Sequence, residues 1–277
     1  MTAPRVSALP GSGLRFARYP ADAALRGVVE SYWTLDVERP PAIVTVLPDG
    51  LIDLTFTLGD RPAAYVTGAL AGPQRYVHEE PVGLVGVSLL PGAAPALLGV
   101  EVAALRGGWT PLERVIGPVA AELAARVAES PAGPPRLALL DTFLAARLQR
   151  RDGRPPDDRV AGALGTILAR SGDVDIIRLA RESAASPRHL NRLFDVWIGF
   201  GPKRFARIVR VQAALRRLLE EPDANLADLA VELGFADHAH LARDMRELTG
   251  ESPSALARRL QANDPAVSFK RSTDRAP

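Results

Sequence analysis

The sequence predicts an α+β protein in two parts. Residues 1–150 read as a β-rich barrel that ends in connecting helices, and 157–261 read as an all-α unit of two helix-turn-helix motifs joined by a linker helix. Three observations predict this. Residues 14–90 alternate runs rich in Val, Thr, Leu and aromatics with Pro- and Gly-containing breaks, the punctuation of short strands and turns. Beyond Pro91-Gly92, alanine and leucine take over, and apolar residues recur at helical spacing. Near the C-terminus, a segment of about 50 residues occurs twice, too few copies for a solenoid.

Composition narrows the class further. A chain of 277 residues suits two domains, each able to bury a core. Its 34 basic and 32 acidic side chains leave a net charge of +2, so it does not bind anions by bulk charge alone. Only Lys203 and Lys270 are lysines; arginine carries the remaining positive charge. The absence of cysteine excludes disulfides, thiolate metal sites and cysteine nucleophiles. The N-terminus MTAPRVSALPGSG lacks the apolar stretch of a signal peptide, and no apolar run approaches the ~20 residues of a spanning helix. A cytoplasmic protein with no membrane partner is the expectation.

Taken in order, the strand-like runs are 28–37, 42–48, 51–58, 63–70 and 82–90. Pro48-Asp49-Gly50 is a tight-turn signal, because glycine accepts the positive φ such turns demand. Helical periodicity predicts two connecting helices, over 117–129 and 136–148. The charged, Pro- and Gly-containing stretch 150–159 reads as a linker, and the polar tail 262–277 as a flexible end.

The repeat is the most informative feature. Residues 176–207 and 226–258 share one grammar: a short helix, a tight turn, a second helix, a glycine stop and a proline restart. Ser186 and Asp237 are N-cap candidates for the second helices, and Pro187 favours the first helical position. Gly199 and Gly250 end those helices, and Pro202 and Pro253 open the next. Two short helices joined by such a turn form a helix-turn-helix unit.

In the helix 187–197, Leu190, Leu193, Phe194 and Trp197 make a buried stripe, while Arg188, Asn191, Arg192 and Asp195 make a polar one. A polar face can simply be solvated. On a duplicated helix-turn-helix it suits a DNA major groove, where Arg forks onto guanine and Asn pairs with adenine. In the second copy Leu241, Met245 and Leu248 face inward, with His238, Ala239, Ala242, Arg243 and Arg246 outward. Asp244 places a negative charge near the expected phosphate surface. Of the histidines, His189 and His240 read as packing or capping residues. The linker 202–221, at 1.5 Å per residue, makes a rod of about 30 Å. That is close to the ~34 Å between successive major grooves on one face of B-DNA. Lys203, Arg204, Arg207 and Arg210 near its start, with Ser186 and Arg246, form the expected phosphate-contact set.

These residues resemble a known family. SPRHLNRLF, GFGPKRFARIVRVQAALRRLL and LADLAVELGFADHAHLARDMRELTGESPSAL, with Gly234-Phe235 before the second turn, are similar to the DNA-binding domain of AraC/XylS transcriptional regulators. The resemblance covers 157–261. It implies a bacterial transcription factor that binds promoter or operator DNA and contacts RNA polymerase. Its base-contacting positions fall on Arg188, Asn191, Arg192, His238, Ala239 and Arg243. Met245, Leu241 and Asp244 depart from the family's usual residues. VVESYWTLDV, LPDGLIDLTFTLGD and GLVGVSLLPGAAPALLGV look like the N-terminal domain of an uncharacterised subgroup, whose implied role is effector sensing or dimerisation. The usual family partner is a cupin-like barrel, compatible with the strands here.

Other chemistry finds little support. DNA-repair alkyl transfer needs a cysteine that the chain lacks. His78 stands beside Glu79 and Glu80, but adjacent strand residues point to opposite faces, so neither a metal site nor another cofactor is expected. Tyr32, Trp33, Phe56 and Tyr65, with Asp53, are the candidate lining of a small-molecule effector pocket; each aromatic also suits a core. The Leu-rich stripes of 117–148 can pair with a second copy or pack on the barrel. A regulator rather than an enzyme is therefore expected. The alternative is a non-enzymatic ligand-sensing or interaction module whose helices do not read DNA.

Overall fold

The computed structural model describes residues 5–8, 13–150, 157–221, 224–261 and 267–268. The centre of the expected linker and most of the expected tail lie outside these. The strands are β1 (Arg5–Ala8), β2 (Leu14–Pro20), β3 (Val29–Val37), β4 (Ala42–Val46), β5 (Ile52–Leu58), β6 (Ala64–Thr67), β7 (Gln74–His78), β8 (Val82–Leu89), β9 (Trp109–Pro111) and β10 (Val267–Ser268). The five strand-like runs thus reappear as β3, β4, β5, β6 and β8, while β7 falls between two of them. Among the described residues, seven strands form one antiparallel sheet in the order β1-β2-β3-β8-β5-β6-β9. Strands β10, β4 and β7 form a smaller sheet, with β10 parallel to β4.

Period-two alternation gives the large sheet two different faces. On one, Tyr32, Leu54, Phe56, Val66, Val85, Val87 and Leu89 are buried in the principal apolar cluster. Helices α1 (Ala94–Leu98), α2 (Glu113–Ile116), α3 (Val119–Glu129) and α4 (Pro134–Gln149) follow the strands, and Leu97, Leu123, Val127, Leu140 and Leu144 join that cluster. The Tyr32 hydroxyl donates to Asp141 of α4, and burial pushes both pKa values upward. The other face meets the small sheet, where Ala42 and Val44 share a second cluster with Leu14, Leu35, Val37 and Leu84. Trp33 lies across Gly86 on this face: a β-carbon built there would fall 2.1 Å from two indole carbons.

The remaining helices are α5 (Asp158–Ala169), α6 (Ile176–Glu182), α7 (Pro187–Ile198), α8 (Pro202–Glu220), α9 (Leu226–Glu232), α10 (His238–Thr249) and α11 (Pro253–Gln261). None in the described residues is long and apolar enough to cross a membrane. The linker helix α8 is the hub: Phe205, Ile208, Val211, Ala214 and Leu215 are all buried along it. The principal cluster runs without a break from the β-sheet through Ala69, Val102 and Leu105 to Trp197, Ile198 and Phe205. The Pro48-Asp49-Gly50 turn seats on α8. Its Gly50, at φ +80°, leaves room for the Phe205 ring, which a β-carbon would meet at 2.6 Å. The buried Gln212 side chain donates to the Pro48 carbonyl at 2.6 Å.

Gly86→Ala forces the Trp33 indole off the sheet. The overpacking is expected to cost about 1–3 kcal/mol, read as a lowered denaturant midpoint.

Candidate nucleic-acid interface

Each second helix of the repeat is built by local chemistry. The Ser186 hydroxyl accepts from the His189 amide at 3.2 Å, with Pro187 at the first helical position, and Gly199 closes α7 at φ +90°. The Asp237 carboxylate accepts from the His240 amide at 2.6 Å, and Gly250 closes α10 at φ +79°. That backbone hydrogen bond, first among its causes, holds the Asp237 carboxyl below its ordinary range. The shorter helices α6 and α9 are capped in the same way by Asp175 and Asn225. The inward stripes match the sequence periodicity: Leu190, Phe194, Trp197, Leu241, Met245 and Leu248 are buried, and Leu193 is half-buried.

The outward stripes carry the expected base contacts. Arg188, Asn191 and Arg192 of α7 are exposed, as are His238 and Arg243 of α10; Ala239 is half-buried. Arg192 Nη2 lies 3.3 Å from His189 Nδ1. The Asn191 carboxamide leans over the turn into α8, where a β-carbon on Gly201 would meet its Oδ1 at 2.1 Å. Asp195, at the end of the stripe, pairs with Arg106 of the segment between the 3-10 turn Val102–Leu105 and β9. A cleft of about 680 Å³ flanks this face, between Glu101, Arg159 and the α7 residues His189, Arg192 and Asp195. His240 accepts from the Ala236 amide at 3.3 Å and meets the Phe235 ring edge-on, a capping and packing role.

The expected phosphate set divides. Ser186, Lys203 and Arg246 are exposed on the surface. Arg207 instead forks onto Asp244 at 2.8 and 3.2 Å and reaches Glu247 at 2.5 Å. These bonds, Asp244 first, raise the Arg207 pKa, and in return Glu247 is held below the usual carboxylate range. Asp244 is thus a buried partner of the linker helix and not a negative charge on the phosphate surface. Arg210 donates to the carbonyls of Gly172 at 2.8 Å and Gly234 at 2.9 Å, and lies over the Phe235 ring. It ties the turn before α6 to the turn of the second unit. Arg204 bonds the Ala71 carbonyl and Glu247. All three guanidinium groups are engaged within the fold, by partners remote in sequence.

The expected effector residues also divide, by strand face. Tyr32 and Phe56 point into the helix-covered core, 1% and 0% exposed. Trp33, Asp53 and Tyr65 share the opposite face, as the pairings Trp33 with Gly86, Gly86 with Thr55 and Thr55 with Tyr65 require. Asp53 accepts from Ser88 at 2.6 Å and from the Trp33 indole at 3.2 Å. Ser31, Thr55, Thr67 and Ser88 are buried on this same face, a concentration of hydroxyls that strand patterning did not reveal.

Two equivalently capped helices packed on a shared linker define a double helix-turn-helix domain. Residues 179–259 match a family model described as "Helix-turn-helix domain", and residues 17–109 match "Domain of unknown function (DUF6597)". The transcriptional regulator GlxA of Rhizobium meliloti (strain 1021) is 35% identical over 86 residues, 31% of this chain and 26% of that protein. The XylDLEGF operon transcriptional activator of Pseudomonas putida is 31% identical over 112 residues, 39% of this chain and 34% of that protein. The chain therefore spans about a third or less of these curated relatives. Among solved structures, a probable AraC family regulator from Rhodopseudomonas palustris CGA009 is 28% identical, covering 37% of this chain and 97% of that one at a TM-score of 0.34. ToxT from Vibrio cholerae is 9% identical, covering 79% and 95% at a TM-score of 0.42. The C-terminal part of the chain is thus similar to the helix-turn-helix regions of these transcriptional regulators.

Removing the Arg207 side chain strands the Asp244 carboxylate. Arg207→Ala is expected to cost roughly 3 kcal/mol in chemical denaturation, and adding Asp244→Ala should recover part of it. A pH effect follows from Asp157, which caps α5 and is held down to about 2 by Arg159. A depressed carboxyl stabilises the fold above its ordinary pKa and loses that contribution as pH falls. The melting-temperature gap between wild type and Asp157→Asn should persist above pH 4 and close near pH 2.

Proposed function

We propose that the protein is a cytoplasmic, non-enzymatic, sequence-specific transcription regulator. The observation that carries this reading is the pair of equivalently capped helices, each presenting exposed arginine beside its buried stripe. Arg188, Asn191 and Arg192 read bases from α7, and Arg243, His238 and Ala239 from α10, the last through a thymine methyl. Ser186, Lys203 and Arg246 hold phosphates. Arg204, Arg207 and Arg210 are left to the frame that orients the two helices.

The strand domain supplies regulation. Its inner face sets the aromatic rings of Trp33 and Tyr65 beside Asp53 and the neighbouring hydroxyls, and aromatic surface with convergent polar groups suits a small effector. Homodimerisation through α3 and α4 and contact with RNA polymerase complete the reading.

The test is binding of the intact protein to its own promoter region against scrambled DNA across a salt series. A regulator should prefer its site by about 10³-fold or more, with log K falling steeply against log salt. Arg192→Ala should lose roughly 1–3 kcal/mol at one base position, whereas Lys203→Ala should weaken all sequences alike and reduce the salt slope by about 1. Salt-insensitive, sequence-blind binding would favour a helical interaction module instead.

A further inference from the structure

We infer that the loop between β6 and β7, residues 68–73, is a spacer that sets the separation of the two recognition helices, so that the strand domain controls which half-site spacing the protein accepts. This rests on the DNA-reading function proposed above and assigns its regulation to a particular segment.

The loop touches both units of the repeat at equivalent places. At its start, Ala69 packs on Gly199, the C-cap of α7: a β-carbon there would fall 2.9 Å from both Ala69 Cβ and Val102 Cγ1. At its end, Pro73 Cγ stands 3.6 Å from the corresponding point on Gly250, the C-cap of α10. Between them the Ala71 carbonyl accepts from Arg204, and Gly72 lies beside the Glu247 carbonyl. Glu247 in turn holds Arg204 and Arg207, and Arg207 holds Asp244 inside α10. Five residues can span at most about 17 Å. The C-terminal ends of both recognition helices therefore converge on one short piece of the strand domain.

The loop is itself fixed from behind. Gly68 is pressed on the Leu105 carbonyl, where a β-carbon would fall 1.7 Å away. It continues directly from β6, which carries Tyr65 and Thr67 on the polar inner face. A second tie, Gln212 to the Pro48 carbonyl, holds the middle of α8 against the same domain. Rigid support of this kind lowers the cost of presenting two helices at one pitch, which is preorganisation.

The experiment starts from DNA enriched out of a random pool by the intact protein. Operators are then built with the two half-sites at the selected spacing, with one or two base pairs inserted, and with a single half-site. Gln212→Met removes the tie to Pro48 at nearly constant volume, and Ala69→Leu pushes the loop off Gly199. Circular dichroism and thermal melts confirm that each variant is folded, and Gln212→Met serves if Ala69→Leu is not. The expected result is a loss of about tenfold at the selected spacing, unchanged single half-site affinity, and a much smaller penalty for inserted base pairs. Variants with the wild-type spacing profile would overturn the spacer, and so would tighter binding at every spacing, which would make the contact a brake. A pool in which the wild type enriches nothing would overturn the DNA-reading function itself, a different outcome from a wild type that selects DNA and variants that do not differ.

Discussion

Everything in this molecule leans on the burial of one helix. Residues 202–220 are walled on one side by the strand domain, through Gly50, Pro48 and Ala71, and on others by both helix-turn-helix units. A nineteen-residue helix with exposed sides would be marginal in water, because nucleation is costly and propagation gains little per residue. Packed on all these faces it becomes a rigid axle. The apolar cluster that encloses it passes between the two parts of the chain without interruption, so neither part has a wholly separate core.

The polar groups along this axle follow from that burial. Enclosing a guanidinium is costly unless its terminal nitrogens find partners, and arginine's planar fork suits paired carboxylate or carbonyl oxygens better than a lysine does. Arg207 takes two carboxylates and Arg210 two carbonyls, each joining segments that the chain does not bring together locally. Two tight turns meet at the second of these. Gly234, at φ +72°, lies so close to Asp173 that a β-carbon would fall 2.3 Å from the carboxylate.

What the sequence made legible was local. Ser186, Asp237, Gly199 and Gly250 could be assigned because a cap depends on chemistry within four residues of itself. The inward stripes were legible because helical period alone decides them. Arg207 and Arg210 were not, since their partners stand 37 and 24 residues away and no periodicity points to them. Asp244 was misread for the same reason. Tyr32 and Trp33 are adjacent in one run, and assigning them to one pocket overlooked that neighbours in a strand face opposite ways. Strand β7 was missed because Gln74, Arg75 and His78 make a half-polar edge strand with little apolar alternation.

Arg188, Arg192 and Arg243 project from a frame whose packing does not involve their ends. Exchange of exposed side chains away from caps and cores alters folding stability by only about half a kcal/mol either way. The positions to which base reading is assigned in the proposed function can therefore be exchanged almost without cost to the fold. On that proposal, substitutions at a handful of surface positions change what the protein recognises, while the axle and its supports stay as they are.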